Sequence, residues 1–274
     1  MSQTKLDNTG KTVFDDIYQS PDPRAYCREM QRLDYVVPAE AKPFFHSLID
    51  NYRQHHPDRR DKSLIILDLG CSYGINGALL RLDIPLQDLY QHYQDRDQLS
   101  PDQLILEDKN TFQQRSQERN LQIVGLDISQ PALDYAESTG MLQESICVNL
   151  ETDQLNDHEA NLLGQVDCII STGCIGYITT TTLEKVLQAC KTKKPWMAHC
   201  VLRMFALDEY LQLFQYYGYS IEMESEPVRQ RKFASLAEQQ QVKERLDQMG
   251  INRRGYEDQG SLYANVIQCT TDLT

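Results

Sequence analysis

The 274 residues suffice for one large α/β core, or for a core with a small cap. A formal charge of −13 and an isoelectric point near 4.9 describe an acidic, solvated surface, which argues against nucleic-acid and anionic-membrane partners. No stretch approaches the roughly 18 apolar residues of a membrane span, and the opening MSQTKLDNTG lacks the apolar centre of a signal peptide, so a cytoplasmic protein is expected.

Residues 1–10 read as a loose tail. A helix is expected from Pro23 to about Leu33, with Asp22 near its cap and Tyr26, Met30 and Leu33 on one face. A second begins near Pro38, with Phe44, Phe45, Leu48, Ile49 and Tyr52 as its apolar stripe. The polar NYRQHHPDRRDKS then connects to the first strand, so residues 1–60 form a tail and helical cap ahead of a main domain at 61–274.

Leu64 to Asp68 is apolar without alternation and ends in an acid, the pattern of a strand buried on both faces. Gly70 and Gly74 make a tight turn, and Ile75 to Leu82 is apolar and helix-forming. Strand, glycine turn and helix in succession place backbone N–H groups over the carboxyl end of a sheet, where open α/β folds bind ligands. A dinucleotide fingerprint needs glycine at the first, third and sixth turn positions; here they hold Gly70, Ser72 and Ile75, and the pattern fails twice.

Asp68 and the next strand-terminal acid, Asp127, stand 59 positions apart, where a simple βαβ unit places such acids about 20 apart. The excess, at about 84–119, is polar and holds two helical patterns separated at Leu99-Ser100-Pro101, with Ser100 as a cap. It reads as a surface insertion, either a decoration or part of a substrate entrance. Further strands are expected at Leu121–Asp127, Ser145–Leu150, Val166–Ser171, Pro195–Leu202, Tyr219–Glu224 and Leu262–Ile267, with helices between them. Arg229, Arg231 and Lys232 form a basic cluster, either an attractor for an anion or a solvated patch. The eight cysteines are scattered without a C-x-x-C pair, so reduced thiols are expected, and no metal-ligand spacing occurs.

The stretch LDLGCSYG resembles motif I of the class I S-adenosylmethionine-dependent methyltransferases, a strand ending in an acid followed by Gly-Cys-Gly-x-Gly. Asp68, Gly70 and Gly74 match it, while Ser72 stands where the family usually has glycine. The resemblance covers about residues 60–270. It implies a Rossmann-like, doubly wound seven-stranded sheet whose last strand is antiparallel, with S-adenosylmethionine as cofactor and S-adenosylhomocysteine as product. It assigns the cofactor to Asp68, Gly70, Ser72, Gly74, Asp127, Ile128, Asn149, Leu150 and Ser171. Asp127 would accept from the ribose hydroxyls and Ile128 would lie on adenine. Asn149, where the family has Asp, would accept from the adenine amine through its amide oxygen, and Leu150 would cover the ring edge. The N-terminal helices would cover the methionine end, with Tyr18, Arg24, Tyr26 and Tyr35 as lid candidates. The loop Thr172 to Tyr177 would line the opening for transfer. It is not the Asn-Pro-Pro-Tyr loop of members that act on nucleic-acid amines.

Transfer from a sulfonium centre asks mainly for alignment and desolvation, so a catalytic base need not show in sequence. His199 is the candidate base, against the alternative of a satisfied core histidine; Tyr177 and Tyr18 are candidates for positioning an acceptor. The expected acceptor is an oxygen or nitrogen nucleophile of a small organic molecule. The rival readings are a protein methyltransferase, an NAD-dependent oxidoreductase and a non-catalytic binder of S-adenosylmethionine.

Overall fold

The apolar run at Leu64 becomes β1 (Leu64–Leu69), the central strand, hydrogen-bonded in parallel to β2 (Leu121–Asp127) on one side and β4 (Cys168–Thr172) on the other. This computed structural model describes residues 15–115 and 120–271; the expected tail at 1–10 and the end of the insertion at 116–119 lie outside them. In chain order the helices are α1 (Asp15–Tyr18), α2 (Arg24–Arg32), α3 (Val37–His55), α4 (Ile75–Arg81), α5 (Leu86–Gln94), α6 (Pro101–Gln113), α7 (Gln130–Thr139), α8 (Asp157–Leu163), α9 (Thr180–Ala189), α10 (Asp208–Tyr216) and α11 (Leu236–Gln248). The remaining strands are β3 (Glu144–Cys147), β5 (Trp196–Leu202), β6 (Ser220–Met223), β7 (Val228–Lys232) and β8 (Ser261–Thr270).

The strand order is β3-β2-β1-β4-β5-β8-β6, parallel as far as β5, with β8 antiparallel between β5 and β6. The switch in order falls between β1 and β4, the place where such sheets bind ligands. The departure from expectation is β7, which pairs with the first half of β8, while β6 pairs with the second half. Ala264 faces Leu202 on one side and Val228 on the other, and Ile267 faces His199 and Met223. Thus β6 and β7 lie end to end along one edge, and eight strands occupy seven positions. The stretch VRQRK hides this strand because its alternation carries charged side chains whose partners come from elsewhere in the chain.

Two apolar layers cover the sheet. One joins β1 residues Leu64 and Ile66 to the stripes of α2, α3, α4, α5 and α7; the other joins Leu67 and Leu69 to α8, α9 and α10. Helix α3 buries Ala41, Phe45, Leu48, Ile49 and Tyr52, the expected face extended by one turn toward its start. Asp22 does not cap α2 by a conventional N-cap bond. Its carboxylate accepts from the Arg24 N–H at 3.0 Å and from the guanidinium at 2.8 and 2.9 Å.

Ser100 caps α6 with the full reciprocal box, since Gln103 N–H reaches its hydroxyl and Gln103 Oε1 accepts from its N–H. The insertion is more than a polar decoration. Tyr90, Tyr93, Leu104 and Phe112 are buried in the layer beneath α2 and α7. Asp108, fully buried, accepts from Tyr135 and lies 2.6 Å from His92 Nε2. No described helix is long and apolar enough to cross a membrane.

Candidate functional site

Three turn residues after β1 have left-handed backbones: Gly70 (φ 71°), Ser72 (φ 48°) and Gly74 (φ 73°). Gly70 has no alternative, because a Cβ there would stand 2.6 Å from Cys174 Cβ on the neighbouring loop. The turn does not offer its N–H groups to a ligand as the sequence pattern suggested. Gly70 N–H donates to Leu126 O at 2.8 Å, Gly74 N–H to Cys71 O at 2.9 Å and Ser72 N–H to Asp127 Oδ2 at 2.8 Å. Asp127 Oδ1 accepts a further bond from Ser129 N–H at 3.0 Å, so one carboxylate joins the turn after β1 to the turn after β2.

Above these turns lies a cavity of about 840 Å³, inside the ~300–1,000 Å³ range of small-molecule sites. Gly70, Ser72, Asp127, Ile128, Asn149 and Leu150 all line it, as do Tyr18 and Tyr177. Ile128 is 66 % exposed at the rim, which is unusual for isoleucine beside a strand end and leaves a flat apolar surface facing the opening. Asn149 Oδ1 accepts from Glu151 N–H at 3.1 Å, so the amide oxygen is engaged in its own turn. That oxygen keeps a second lone pair, and the NH2 group adds two donors, so the side chain offers a ligand both functions.

Asp68 is not in the lining. It is fully buried, and Asn76, which does line the cavity, stands over it with Nδ2 donating to Asp68 Oδ1 at 2.9 Å and to Thr172 Oγ1 at 3.1 Å. Burial pushes the Asp68 carboxyl up to about 7, against the lowering effect of the Asn76 hydrogen bond. Asp68 Oδ2, Asn76 Oδ1 and Ser72 Oγ are buried without a hydrogen-bond partner. Such oxygens cost roughly 1–3 kcal/mol each unless something donates to them.

Gly74 also lies off the cavity; it shapes the entry to α4 against Ala136, Met141 and Leu142. His199 and Ser171 leave the site altogether. Odd-numbered positions of β5 face the layer of α8 to α10, where His199 stacks on Phe214 at 5.7 Å with its Nδ1 2.9 Å from Ser171 Oγ. Burial lowers the His199 imidazole to about 3, which leaves it neutral and out of reach of the cavity. It is a core histidine, though only half satisfied, since its buried Nε2 has no hydrogen-bond partner.

The cap does reach the cavity. Tyr18, Gln19, Tyr26, Met30, Tyr35 and Pro38 form its roof. Tyr73, inside the glycine turn, is buried with its hydroxyl 2.8 Å from the carbonyl oxygens of Ile17 and Ser20, pinning the segment that carries Tyr18. Arg24 is not a roof residue. Its Nη1 donates to Arg96 O, Asp97 O and Leu99 O at 2.7–3.2 Å and ties the cap to the insertion. Opposite the roof, Tyr177 packs edge-on against Phe205 at 4.9 Å.

The basic cluster resolves into ion pairs. Arg229 meets Asp34 at 2.7 Å and Lys232 meets it at 3.7 Å. Arg231, 2 % exposed, is held by both Glu238 oxygens at 2.7 and 2.9 Å. Arg231 is thus buried and paired, while Arg229 and Lys232 share Asp34, with Lys232 still exposed to solvent. Asn76 and Gln230 line the cavity and were not foreseen. Asn76 could have been noticed as the lone amide in INGALL; Gln230 carried no such signal, since β7 itself was not legible. Among the described residues no group of three or more His, Cys, Asp or Glu is placed to hold a metal.

The central strand, its glycine turn, the switch between β1 and β4 and the antiparallel β8 together decide the architecture. The fold is Rossmann-like, a doubly wound α/β sheet with one antiparallel strand inserted near its edge. No family model and no curated protein matches the sequence. Similar solved structures include a TehB-like SAM-dependent methyltransferase from Corynebacterium glutamicum, at 13 % identity, 86 % of this chain, 100 % of its own and a TM-score of 0.40. The plantazolicin methyltransferase BamL, in complex with a triazolic desmethylPZN analog and SAH, shares 13 % identity over 94 % of each chain with a TM-score of 0.44. Magnesium protoporphyrin IX methyltransferase from Synechocystis, with bound SAM, shares 10 % over 83 % of this chain and 79 % of its own with a TM-score of 0.39.

Proposed function

We propose that the protein is a cytoplasmic enzyme that binds S-adenosylmethionine in this cavity and transfers its methyl group to an oxygen or nitrogen nucleophile of a small organic molecule. The observation that carries the reading is the group of orphaned oxygens at the head of β1. Asn76 Oδ1 at the cavity, backed by buried Asp68, suits an ammonium, and the Ser72 hydroxyl beside them suits a carboxylate. An amino-acid terminus brings both. A pyrophosphate asks for backbone donors instead, and the turn has spent those of Gly70, Ser72 and Gly74 internally, which counts against a nicotinamide dinucleotide.

When bound, the cofactor supplies a methyl group already activated by its sulfonium. Asp127 keeps lone pairs beyond the two N–H bonds it accepts, and these suit ribose hydroxyls. Ile128, Val148 and Leu150 offer apolar faces for adenine, and Asn149 Nδ2 a donor for a ring nitrogen. At the other end the cap and Tyr177 hold the acceptor and exclude water. Among the described residues the lining contains no His, Lys or Glu, and burial pushes the Tyr35 hydroxyl up, so it remains a donor. The chain thus works by alignment and desolvation of the nucleophile rather than by removing its proton. The eight free thiols suit a reducing compartment.

Calorimetry of the full chain with S-adenosylmethionine, S-adenosylhomocysteine and NAD tests the reading. One-to-one binding of both sulfur compounds and none of NAD is expected. Asp127→Ala should weaken S-adenosylhomocysteine by about 1–3 kcal/mol. Binding of NAD alone, or unchanged affinity in a folded Asp127→Ala protein, would refute it. Labelled S-adenosylmethionine incubated with fractionated metabolites then separates a small acceptor from a protein acceptor, and tight binding without transfer to any fraction would favour a non-catalytic binder.

A further inference from the structure

Strand β7 is the element that the seven-position sheet does not require, and it bulges where it meets the cavity. Arg229 pairs with Tyr263 and Arg231 with Leu262, so Gln230 is the extra residue. A bulge turns one side chain out of the pleat, and bulges gather beside functional sites. Gln230 lines the cavity, is 2 % exposed, and its Oε1 has no hydrogen-bond partner. Gly173 makes room for the amide, since a Cβ there would stand 2.6 Å from Gln230 Nε2.

The position is rigid. Gln230 O accepts from Val36 N–H at 2.8 Å, and Lys232 N–H donates to Leu33 O at 2.7 Å, so the bulge is stapled on both sides to the cap that roofs the cavity. The cap's share of the lining is largely aromatic or apolar, with Tyr26, Met30, Tyr35 and Pro38, while Thr172 beside Gly173 is hydrogen-bonded to Tyr35. Charge is scarce. Among the described residues, Asp127 and Arg231 are the only charged ones in the lining; the first is bound to the two turns, and the second is paired with Glu238. A charged acceptor would be desolvated there with no opposite charge left to meet it, which is costly. A neutral one with a hydrogen-bond donor would satisfy the orphaned Oε1 of Gln230.

We infer that Gln230 Oε1 is the polar pole of the acceptor subsite, and that it selects an uncharged, ring-bearing small molecule carrying an O–H or N–H donor. This rests on the reading of the cavity given above and deepens it by naming the acceptor's class.

The test compares phenol and aniline, neutral rings with a donor, with anisole, the same ring without one, and with benzoate and benzylammonium as charged counterparts. Dissociation constants are measured by ligand-observed NMR titration, with and without saturating S-adenosylhomocysteine. Phenol and aniline are expected to bind about three- to tenfold tighter than anisole, the worth of one neutral hydrogen bond, with the charged probes weaker still. Gln230→Leu should erase the phenol–anisole difference and melt no lower than wild type, since it removes an orphaned oxygen, with S-adenosylhomocysteine still bound. Gln230→Glu, which keeps an acceptor and adds a charge, should keep the difference and gain affinity for benzylammonium. Equal binding of phenol and anisole to wild type, tightest binding of a charged probe, or a Gln230→Leu protein that still discriminates would overturn the inference alone. Failure of S-adenosylhomocysteine to bind wild type would overturn the reading beneath it as well.

Discussion

Asp68→Asn should stabilise the ligand-free protein and weaken its cofactor site at once. Asp68 has no exposure, and of its two oxygens one accepts from Asn76 at 2.9 Å and the other has no partner. Burial, reinforced by Asp127 and opposed by Asn76, raises the carboxyl from 3.8 to about 7. A group raised in the folded state contributes stability that is complete below its unfolded value and lost as pH climbs through the folded one. Here the window runs from about pH 4 to about pH 7, and at about 1.36 kcal/mol per unit the loss reaches roughly 4 kcal/mol. An amide escapes that cost and brings a donor toward Asn76 Oδ1, which lacks one. Urea denaturation of both proteins between pH 4 and pH 8 is the assay. The variant's advantage should be near zero at the acid end, grow by about 1.4 kcal/mol per unit and level off above pH 7. S-adenosylhomocysteine should bind the variant about tenfold more weakly, because the ammonium loses the charge behind Asn76. Equal stability of the two proteins across the range, or a less stable variant at pH 8, would refute the account of Asp68 as a carboxylate held at a cost for its ligand.

Three other substitutions probe separate parts of the structure. His199 is lowered from 6.5 to about 3 by burial, so its contribution is present above pH 6.5 and lost as pH falls toward 3. His199→Leu removes the bond to Ser171 together with a buried Nε2 that has no partner, so it should change stability by less than about 1 kcal/mol at pH 7, gain on wild type as pH falls to 5, and leave S-adenosylhomocysteine affinity within about twofold, as melting curves and calorimetry will show. Gly70→Ala combines a left-handed backbone with a Cβ 2.6 Å from Cys174 Cβ, and should lose at least about 2 kcal/mol in urea, with Cys174→Gly restoring only the steric part. Arg231→Met strands a buried Glu238 and should cost about 3–5 kcal/mol, most of it recovered by adding Glu238→Leu; an additive double variant would show that the pair is not a unit.

What the sequence alone determined was local. The apolar run into Asp68, the left-handed needs of Gly70 and Gly74, the Ser100 box and the stripe of α3 each follow from a few neighbouring residues, and each appears where the pattern placed it. The failed dinucleotide spacing and the acid at Asp127 were legible for the same reason. Tertiary structure decided which side chains face the ligand. A parallel strand buried on both faces reads as apolar throughout, so nothing along β5 told that His199 points to α10 rather than to the cavity. The same ambiguity let Asp68 pass for a contact residue when Asn76, in the first turn of α4, stands over it. Arg24 and Arg231 looked available because their partners, Leu99 and Glu238, belong to elements that only folding brings beside them. Gln230 lay furthest from view. Its meaning depends on a bulge against β8 and a staple to Val36, and pairing across nearly two hundred residues leaves no trace in local periodicity.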